Sequence, residues 1–337
     1  MRAAAVDDAE PLAQRVYRLL CDHQFHAGTQ LAAQCQVSRG AVWKAIEALR
    51  ALGVTVHAVA HRGYRLPRAT VLLDAELIRR ALPAAVAARL RRGNAVWSTG
   101  STNADLLTQT DLPPGRFDFL TAEYQSAGRG RRTRSWFAPP GGGICLSIGW
   151  SFARLPPSAG ALSLACGVCA LRALERRGIA GVELKWPNDL MAGGAKLAGI
   201  LIELRAEAAG PAFVVVGIGL NVALGAAVLE RVKASGTAAI DLAALTPTLP
   251  DRNVIAAALI AEIIVGLQQF EQQGFAAFVP EWRAADALAG KPVQIQLDTH
   301  AVNGHARGVD ADGALCVQTR DGLQRFMSGD TSVRTIA

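Results

Sequence analysis

The segment 123–136 concentrates the sequence's clearest chemical signal, an alternation of arginine with glycine. Its charged residues and its glycines are Arg129, Arg131, Arg132, Arg134, Gly128 and Gly130. A guanidinium group is a permanently charged planar fork that suits phosphate and carboxylate oxygens, and glycine lets the backbone approach a ligand closely. The pattern therefore favours a loop that closes over a small polyanion. A solvated surface loop has the same composition, so the segment alone does not distinguish a ligand-binding loop from a solvated one.

A second group of candidates lies where two predicted strands meet polar residues. The stretch 185–189 reads Lys-Trp-Pro-Asn-Asp at the end of a predicted strand, 182–186. Proline has no amide hydrogen and ends the pairing, so Asn188 and Asp189 are free to project polar groups. Lys196 opens the apolar strand 196–203. Asp189 and Lys196 are thus a candidate carboxylate and a candidate amine for chemistry beside the arginine segment.

Hydroxyl and amide side chains cluster at a predicted strand-to-helix turn, in Ser101, Thr102 and Asn103. They could grip the polar atoms of a ligand, or Thr102 or Asn103 could simply cap the helix that follows. From this stretch alone the cap is favoured. The pair Gly217 and Gly219, inside an apolar strand, is too weak a pattern to predict a dinucleotide fold.

Several familiar chemistries and environments are excluded by the sequence. It contains no GxxxxGK[ST], HExxH or GxSxG motif and no cluster of metal ligands, so no metal site is predicted. Six cysteines in 337 residues do not form a disulfide framework. Cys166 and Cys169 lie in an apolar helical pattern that indicates core packing. With no secretory signal and no apolar run long enough to span a membrane, we expect a cytoplasmic protein with no membrane association.

The first part of the sequence predicts a DNA-binding domain. Residues 11–70 contain eight Lys or Arg and two Asp or Glu, an excess of six that accounts for almost the whole net charge of +7. Two short helices, a turn ending at Ser38, a third helix and a two-stranded ribbon describe a winged helix-turn-helix. The predicted DNA-contacting residues are Ser38, Arg39, Trp43, Lys44 and Arg62. A helical protein-interaction module is the alternative, and Trp43 could be a packing residue.

The rest of the sequence predicts two further domains. Strands and helices in the middle predict an α+β domain with a mixed sheet, and the tail, with Asp-Gly turns nine residues apart, predicts a small SH3-like β-barrel. The predicted domain boundaries are 1–68 for the winged helix-turn-helix, 69–286 for the central domain and 287–337 for the C-terminal domain.

At this point the motifs resemble those of a known family. AEYQSAGRGRRTRSW, KWPNDL, KLAGILIEL and GLNV, in this order, look like the signature segments of biotin–protein ligases. Together with the winged helix in front, they resemble the bifunctional class that also represses biotin genes. The similarity covers the chain from about Leu12 to Arg334.

The resemblance implies a two-step reaction. Biotin attacks the α-phosphate of ATP, with Mg²⁺ as the accompanying ion, and gives biotinyl-5′-adenylate. A lysine of the biotin carboxyl carrier protein of acetyl-CoA carboxylase then accepts the biotinyl group. The resemblance also implies operator DNA as a partner and a homodimer, formed through the central sheet, when the adenylate is bound.

The resemblance assigns roles residue by residue. The catalytic residues are Lys196, Arg131, Arg134 and Asp189. Biotin contacts fall to Ser101, Thr102, Asn103, Gln125, Arg129, Gly130, Arg131 and Lys196. Nucleotide contacts fall to Arg131, Arg134, Trp136 and Asn221. By this assignment the capping role of Asn103 becomes secondary. Thr133 departs from the family's glycine and is expected to stiffen the loop.

Two other functions remain open at this level. A biotin-sensing transcription factor without ligase activity would need the DNA-binding domain but not Asp189 and Lys196. A ligase or transferase for lipoate or octanoate has a similar fold. The KWPND motif and the arginine segment favour biotin.

Overall fold

The computed structural model describes residues 10–109, 111–132, 134–206, 211–234, 238–297, 300–327 and 332–335. Within these ranges the strands form three sheets, of two, seven and five strands in chain order. The prediction concerning Thr133 lies outside the described residues.

The first sheet belongs to the predicted winged helix-turn-helix. Its elements are α1 (Leu12–Leu20), α2 (Gly28–Cys35), α3 (Arg39–Ala51), β1 (His57–Val59) and β2 (Gly63–Arg65). The predicted N-cap of α3 is observed, since the Ser38 side chain accepts a hydrogen bond from the Ala41 amide. Val42 and Ile46 point into the small core, and their face of the helix is fully buried. Trp43 is 53% exposed, so it is not a packing residue.

The residue pattern over 72–90, after the winged domain, predicts a single helix, and the structure differs from this prediction. This stretch forms two short helices, α4 (Ala75–Ala81) and α5 (Ala84–Ala87), because Pro83 cannot continue the first. Asp74 caps α4 by accepting hydrogen bonds from two amides of its first turn. Leu90, the last residue of the predicted helix, already belongs to a strand.

The central sheet is mixed, as predicted. Its strands are β3 (Leu90–Thr99), β4 (Phe117–Gln125), β5 (Gly143–Phe152), β6 (Val182–Lys185), β7 (Asp189–Ala192), β8 (Ala195–Ala206) and β9 (Ala212–Asn221). The spatial order is β3-β4-β5-β9-β8-β7-β6, and only β3 and β4 run parallel to each other. Strand β7 was not predicted from the sequence.

Successive side chains of a strand point to opposite faces of the sheet, so one face packs on the main core and the other, called the site face below, points away from it. The surrounding helices are α6 (Thr102–Leu107), α7 (Leu162–Glu175), α8 (Ala226–Ala234), α9 (Arg252–Gln273) and α10 (Val279–Ala284). Ile148 of β5 and Val216 of β9 join the large core that α7 and α9 cover. Val215, which points the opposite way, packs with Leu106 of α6. The helix α8 was not predicted.

The apolar pattern over 158–177 predicts one long helix, and in the structure this stretch opens with a 3₁₀ turn, Ala159–Ala161, before α7 begins. Cys166 and Cys169 are fully buried within α7, which confirms that this CxxC is core packing. All six cysteines are free thiols.

Helix α9 is long and apolar enough to cross a membrane by length and composition. About 78% of its most apolar window is buried inside the protein, as expected for a core helix.

The C-terminal sheet is antiparallel, in the order β13-β12-β11-β10-β14. Its strands are β10 (Pro292–Gln296), β11 (Ala301–Val309), β12 (Leu315–Thr319), β13 (Gly322–Phe326) and β14 (Ser332–Thr335). The Trp186 indole donates a hydrogen bond to the Gly313 carbonyl at 3.1 Å, which docks this sheet on the KWPND segment. Closure into an SH3-like barrel stays a prediction.

Candidate active site

A cavity of about 1130 Å³ lies over the site face of the central sheet, beneath the arginine segment. All twelve residues assigned to catalysis, biotin or nucleotide line it. They are Ser101, Thr102, Asn103, Gln125, Arg129, Gly130, Arg131, Arg134, Trp136, Asp189, Lys196 and Asn221. These residues come from separate stretches of the chain, so only the folded sheet brings them together.

The helix cap at α6 is Ser101, not Thr102 or Asn103. The Ser101 hydroxyl accepts a hydrogen bond from the Ala104 amide. This leaves the Asn103 side chain free to turn towards the cavity, where its Oδ1 accepts from the Ser147 hydroxyl at 2.6 Å. Gly217 makes this possible, because a Cβ there would lie 2.3 Å from Asn103 Oδ1. The glycine that seemed a weak motif therefore provides space for a site residue.

A chain of polar contacts fixes this end of the cavity. The Ser147 hydroxyl also lies 2.6 Å from the Thr102 hydroxyl. The Gln125 Oε1 accepts hydrogen bonds from the Thr102 amide at 2.8 Å and from its hydroxyl at 3.1 Å. Ser147 was not identified from the sequence, because it lies in the middle of an apolar strand. The result is a rigid set of small donors and acceptors suited to a compact polar ring.

Glu203, another residue that the sequence analysis missed, links this end to the arginine segment. Its Oε2 accepts from Asn103 Nδ2 at 2.8 Å, and its Oε1 lies 3.1 Å from Arg129 Nη1. One carboxylate thus orients both an amide and a guanidinium. Only its position at the end of the KLAGILIEL segment could have identified it from sequence.

Lys196 and Asp189 form an ion pair in the cavity, with Nζ and Oδ1 2.5 Å apart. The pairing of β7 with β8 shifts register between Leu190 and Met191, and Asp189 faces Gly199 across the ladder. A Cβ on Gly199 would lie 3.1 Å from Lys196 Nζ, so the glycine leaves room for the ammonium group. Both side chains remain about one fifth exposed and are accessible from the cavity.

Lys185 is a further cation of the site that was not singled out from the KWPND motif. It lines the cavity and pairs across the β6–β7 ladder with Asp189. Burial lowers the pKa of Lys185 from its ordinary value, against the opposing effect of the Asp189 carboxylate. Lys196, Arg134 and Arg334 lie close enough to lower this pKa further.

Trp136 lies flat against the sheet at the other end of the cavity. Its indole covers Gly219, where a Cβ would come within 2.2 Å of the ring. Cys145 lies in the floor beside it, and burial raises the pKa of this thiol to about 12, which keeps it protonated and unreactive. The Lys196 ammonium is 5.9 Å from the centre of the Trp136 ring. Trp136 thus offers an aromatic platform next to the Lys196–Asp189 pair.

Asn221 holds the backbone around Lys196. Its Nδ2 donates to the Lys196 carbonyl at 3.2 Å and to the Ile240 carbonyl at 3.0 Å. The side chain is buried, so it fixes the start of β8 as well as contributing to the lining.

The lining of the cavity is strongly cationic. Among the described residues it includes eight Lys or Arg and one carboxylate, Asp189. The cations are Arg129, Arg131, Arg132, Arg134, Lys185, Lys196, Arg231 and Arg334. Arg231 comes from α8, where its guanidinium stacks on Phe137 at 3.9 Å, and Arg334 comes from β14. Such a lining suits a ligand with several negative charges.

The described residues contain no group of three or more His, Cys, Asp or Glu that could hold a metal ion.

A second candidate site lies on the winged domain. Ser38, Arg39, Trp43 and Lys44 are exposed on the face of α3 opposite its buried stripe, and Arg62 is exposed at the tip between β1 and β2. The Arg62 guanidinium also stacks on Phe25 at 4.1 Å, which holds it in place. The five predicted DNA-contacting residues therefore lie on the outer surface of this domain.

Comparison with known proteins agrees with these observations. The sequence matches the HTH domain over residues 12–65, the Biotin/lipoate A/B protein ligase family over residues 93–221 and the Biotin protein ligase C terminal domain over residues 289–334. It is 37% identical to the bifunctional ligase/repressor BirA of Escherichia coli over 98% of both chains. The BirA of Salmonella typhimurium is also 37% identical, over 94% of this chain and 96% of that protein.

A solved relative has the same fold. The biotin protein ligase from Aquifex aeolicus, in complex with biotin and ATP, is 25% identical with a TM-score of 0.60. The similarity covers 74% of this chain and 99% of that one.

The chain therefore belongs to the biotin/lipoate A/B protein ligase family. Because the match to the bifunctional ligase/repressors extends over nearly the whole chain, winged domain included, the resemblance inferred from the motifs is confirmed.

Proposed function

We propose that this protein activates biotin with ATP to biotinyl-5′-adenylate and transfers the biotinyl group to a lysine of the biotin carboxyl carrier protein of acetyl-CoA carboxylase. One observation carries the proposal. Twelve residues from separate stretches line a single cavity, and the eight cations and one carboxylate of its described lining match a reaction between two anions. Relatives whose names specify a biotin ligase, from Mycobacterium tuberculosis and Aquifex aeolicus, support the same substrate.

Biotin binds at the Asn103 end of the cavity. Its ring carries a urea group, which needs both donors and acceptors. The connected side chains of Thr102, Asn103, Gln125 and Ser147 supply both at fixed positions. Arg129, Gly130 and the Glu203 carboxylate close this end from the arginine segment. The biotin carboxylate then extends towards Lys196.

In the first step a biotin carboxylate oxygen bonds to the α-phosphorus of ATP and pyrophosphate leaves. Two negatively charged groups, the biotin carboxylate and the phosphate of ATP, must come together, and negative charge then moves to the leaving pyrophosphate. Cations fixed in place therefore lower the barrier. Lys196, Arg131 and Arg134 supply these charges. Trp136 and Asn221 lie on the nucleotide side, where the indole offers a surface for the adenine. Closure of the arginine segment over the adenylate would keep water away from it.

In the second step the amine of the acceptor lysine attacks the biotinyl carbonyl, and AMP leaves. An ordinary lysine, with a pKa of about 10.4, is mostly protonated at neutral pH and cannot attack. Asp189 faces the cavity and is the carboxylate that receives the incoming ammonium group and its proton. Its partner Lys196 lies 2.5 Å away.

We propose that Mg²⁺ enters bound to the nucleotide, as MgATP. Mg²⁺ prefers oxygen ligands, and often has one or two carboxylates together with substrate phosphates. The only carboxylate in the described lining is Asp189, which already pairs with Lys196. The described residues thus build no resident site, and the triphosphate oxygens and water supply the remaining ligands.

We also propose that the winged domain binds operator DNA and represses biotin genes. The exposed residues of α3 would enter the major groove, while Arg62 at the wing would contact phosphate. The exposure of Trp43 supports a role in contact rather than in packing.

The adenylate-bound protein is proposed to form a homodimer through the central sheet. Strand β7 pairs with β8 only as far as Gly199, so among the described strands the rest of β8 is paired on the β9 side alone. Leu204 is 46% exposed on this stretch. A free strand edge with an exposed apolar side chain favours pairing with a second copy.

We propose a cytoplasmic location, where ATP and the carrier protein meet, and six free thiols suit that compartment. No membrane association is proposed. The domain boundaries at 68/69 and 286/287 likewise stay proposals.

Biotin-dependent exchange of labelled pyrophosphate into ATP tests the first step. Incorporation of labelled biotin into a carrier domain tests the second, and a carrier domain with its acceptor lysine changed to arginine is the control. Exchange without transfer would refute the acceptor assignment. Absence of both would leave a biotin-sensing transcription factor, and activity with lipoate in place of biotin would reverse the choice of substrate.

A further inference from the structure

Glu123 and Arg252 form a deeply buried ion pair at the junction of the winged domain, the linker and the arginine segment. Their side chains are 3% and 6% exposed. The two carboxylate oxygens accept from the two terminal guanidinium nitrogens at 2.8 and 2.9 Å. Neither residue lines the described cavity.

The pair holds the linker between the domains. The Leu73 amide donates to Glu123 Oε1 at 2.6 Å, and Arg252 Nη2 donates to the Val71 carbonyl at 2.7 Å. The neighbouring Asn253 adds a bond to the Leu72 carbonyl at 3.0 Å and accepts one from the Asp74 amide at 2.8 Å. Each linker residue from 71 to 74 is therefore bonded to one of three side chains.

The same pair joins the two ends of the arginine segment. Glu123 is the first residue of the segment and lies near the end of β4. Its Oε2 accepts from the Gly141 amide at 2.9 Å, after the segment ends, and Arg252 Nη1 donates to the Gly143 carbonyl at 3.0 Å. The Glu123 carboxylate therefore links the start of the segment to the backbone just after its end.

The winged domain contacts the backbone just after the arginine segment directly. The Tyr17 hydroxyl of α1 donates to the Pro140 carbonyl at 3.1 Å. It also fills the space beside Gly141, where a Cβ would be 2.0 Å away. A shift of residues 140–143 would therefore move a contact of the DNA-binding domain.

We propose that Glu123 and Arg252 are positioning residues for both activities. They fix the ends of the arginine segment for adenylate formation and, through the linker and Tyr17, fix the winged domain relative to it. An apolar pair could fill the same space without the cost of burying two charges, but it could not bond to linker and segment backbone together. This inference rests on the proposed ligase and operator-binding functions.

The test compares Glu123→Gln with Asp118→Asn. Asp118 is a matched control, since it is a buried carboxylate on the same strand, bonded to Arg91 at 2.6 and 3.0 Å, and it does not line the cavity. Both variants are assayed well below their melting temperatures. In Glu123→Gln we expect kcat for pyrophosphate exchange to fall about tenfold or more, because small misplacements of reacting groups are costly. KM for biotin should change little, because Asn103 and its partners are untouched.

The adenylate-bound Glu123→Gln protein should also lose operator affinity, whereas Asp118→Asn should match the unsubstituted protein in both assays. Equal effects of the two substitutions on kcat and operator affinity would overturn the proposal, because they would reflect general destabilisation. If Glu123→Gln does not fold, Tyr17→Phe decides. It removes one hydroxyl, and an unchanged adenylate dependence of operator binding would refute the coupling. Absence of exchange in the unsubstituted protein would instead reject the ligase function.

Discussion

Replacing Lys196 by alanine should remove adenylate formation while leaving the fold intact. The Lys196 ammonium is the cation paired with Asp189 in the cavity, at 2.5 Å. Losing a fixed group that stabilises transition-state charge costs on the order of 10²- to 10³-fold in kcat, or about 3–4 kcal/mol. The other seven cations of the described lining remain, so binding of ATP should weaken much less.

The expected effect on stability is small. The Lys196 and Asp189 side chains are 23% and 22% exposed, and a pair in partial contact with solvent contributes up to about 1 kcal/mol. The melting temperature should therefore fall by no more than about 2–4 °C.

Pyrophosphate exchange at saturating ATP and biotin measures kcat, and a biotin titration separates it from KM. Lys291→Ala is the control, because Lys291 is exposed in the C-terminal domain and does not line the cavity. A Lys196→Ala enzyme with kcat close to that of the unsubstituted protein would refute the assignment. So would a loss explained entirely by unfolding, which the melting temperature detects.

Three further outcomes are expected. Gly219→Ala should raise KM for ATP with little change in KM for biotin, because the new methyl group displaces Trp136. A KM for ATP equal to that of the unsubstituted protein would show that the indole is not part of the nucleotide site. Glu203→Gln should raise Kd for biotin about tenfold, since bonds from charged groups contribute about 1.5–3 kcal/mol and this carboxylate orients Arg129. Calorimetric titration with biotin measures this Kd, and unchanged affinity would contradict the role. Arg39→Ala should weaken operator binding in a gel shift and lower the salt dependence by about one ion, with exchange unaffected; the same affinity at every salt concentration would count against the winged domain.

Much of the fold was accessible from local signals. The buried stripe of α3 follows from apolar residues at helical spacing, and its start follows from a serine at the N-cap. The long strands β5, β8 and β9 were found from their apolar runs. Some elements and boundaries were not: β7 was missed, and α4 and α5 were predicted as one helix, because where an element begins and ends depends on its neighbours as well as on its own pattern.

The cap at α6 shows where local reasoning failed. Ser101, Thr102 and Asn103 all suit an N-cap, and sequence cannot choose among adjacent capping residues. Contacts with neighbouring strands determine that Asn103 faces the cavity and does not cap the helix, because Gly217 leaves space for the Asn103 amide and Ser147 donates to it. Ser147 became a site residue for the same reason, since it faces the cavity from a strand that reads as apolar in the sequence. Glu203, within the KLAGILIEL segment, became one because it bonds to both Asn103 and Arg129.

The sequence by itself determined the chemistry available to this protein, because residue types and motif order specify charges, hydrogen-bonding groups and family. Tertiary structure decided which of those groups meet. Lys196 and Asp189 face one another through a register shift, and Glu123 joins residues 73, 141 and 252 in one buried cluster. Contacts of this kind depend on strand order and on the space left by glycine, which are properties of the assembled sheet and not of any single segment.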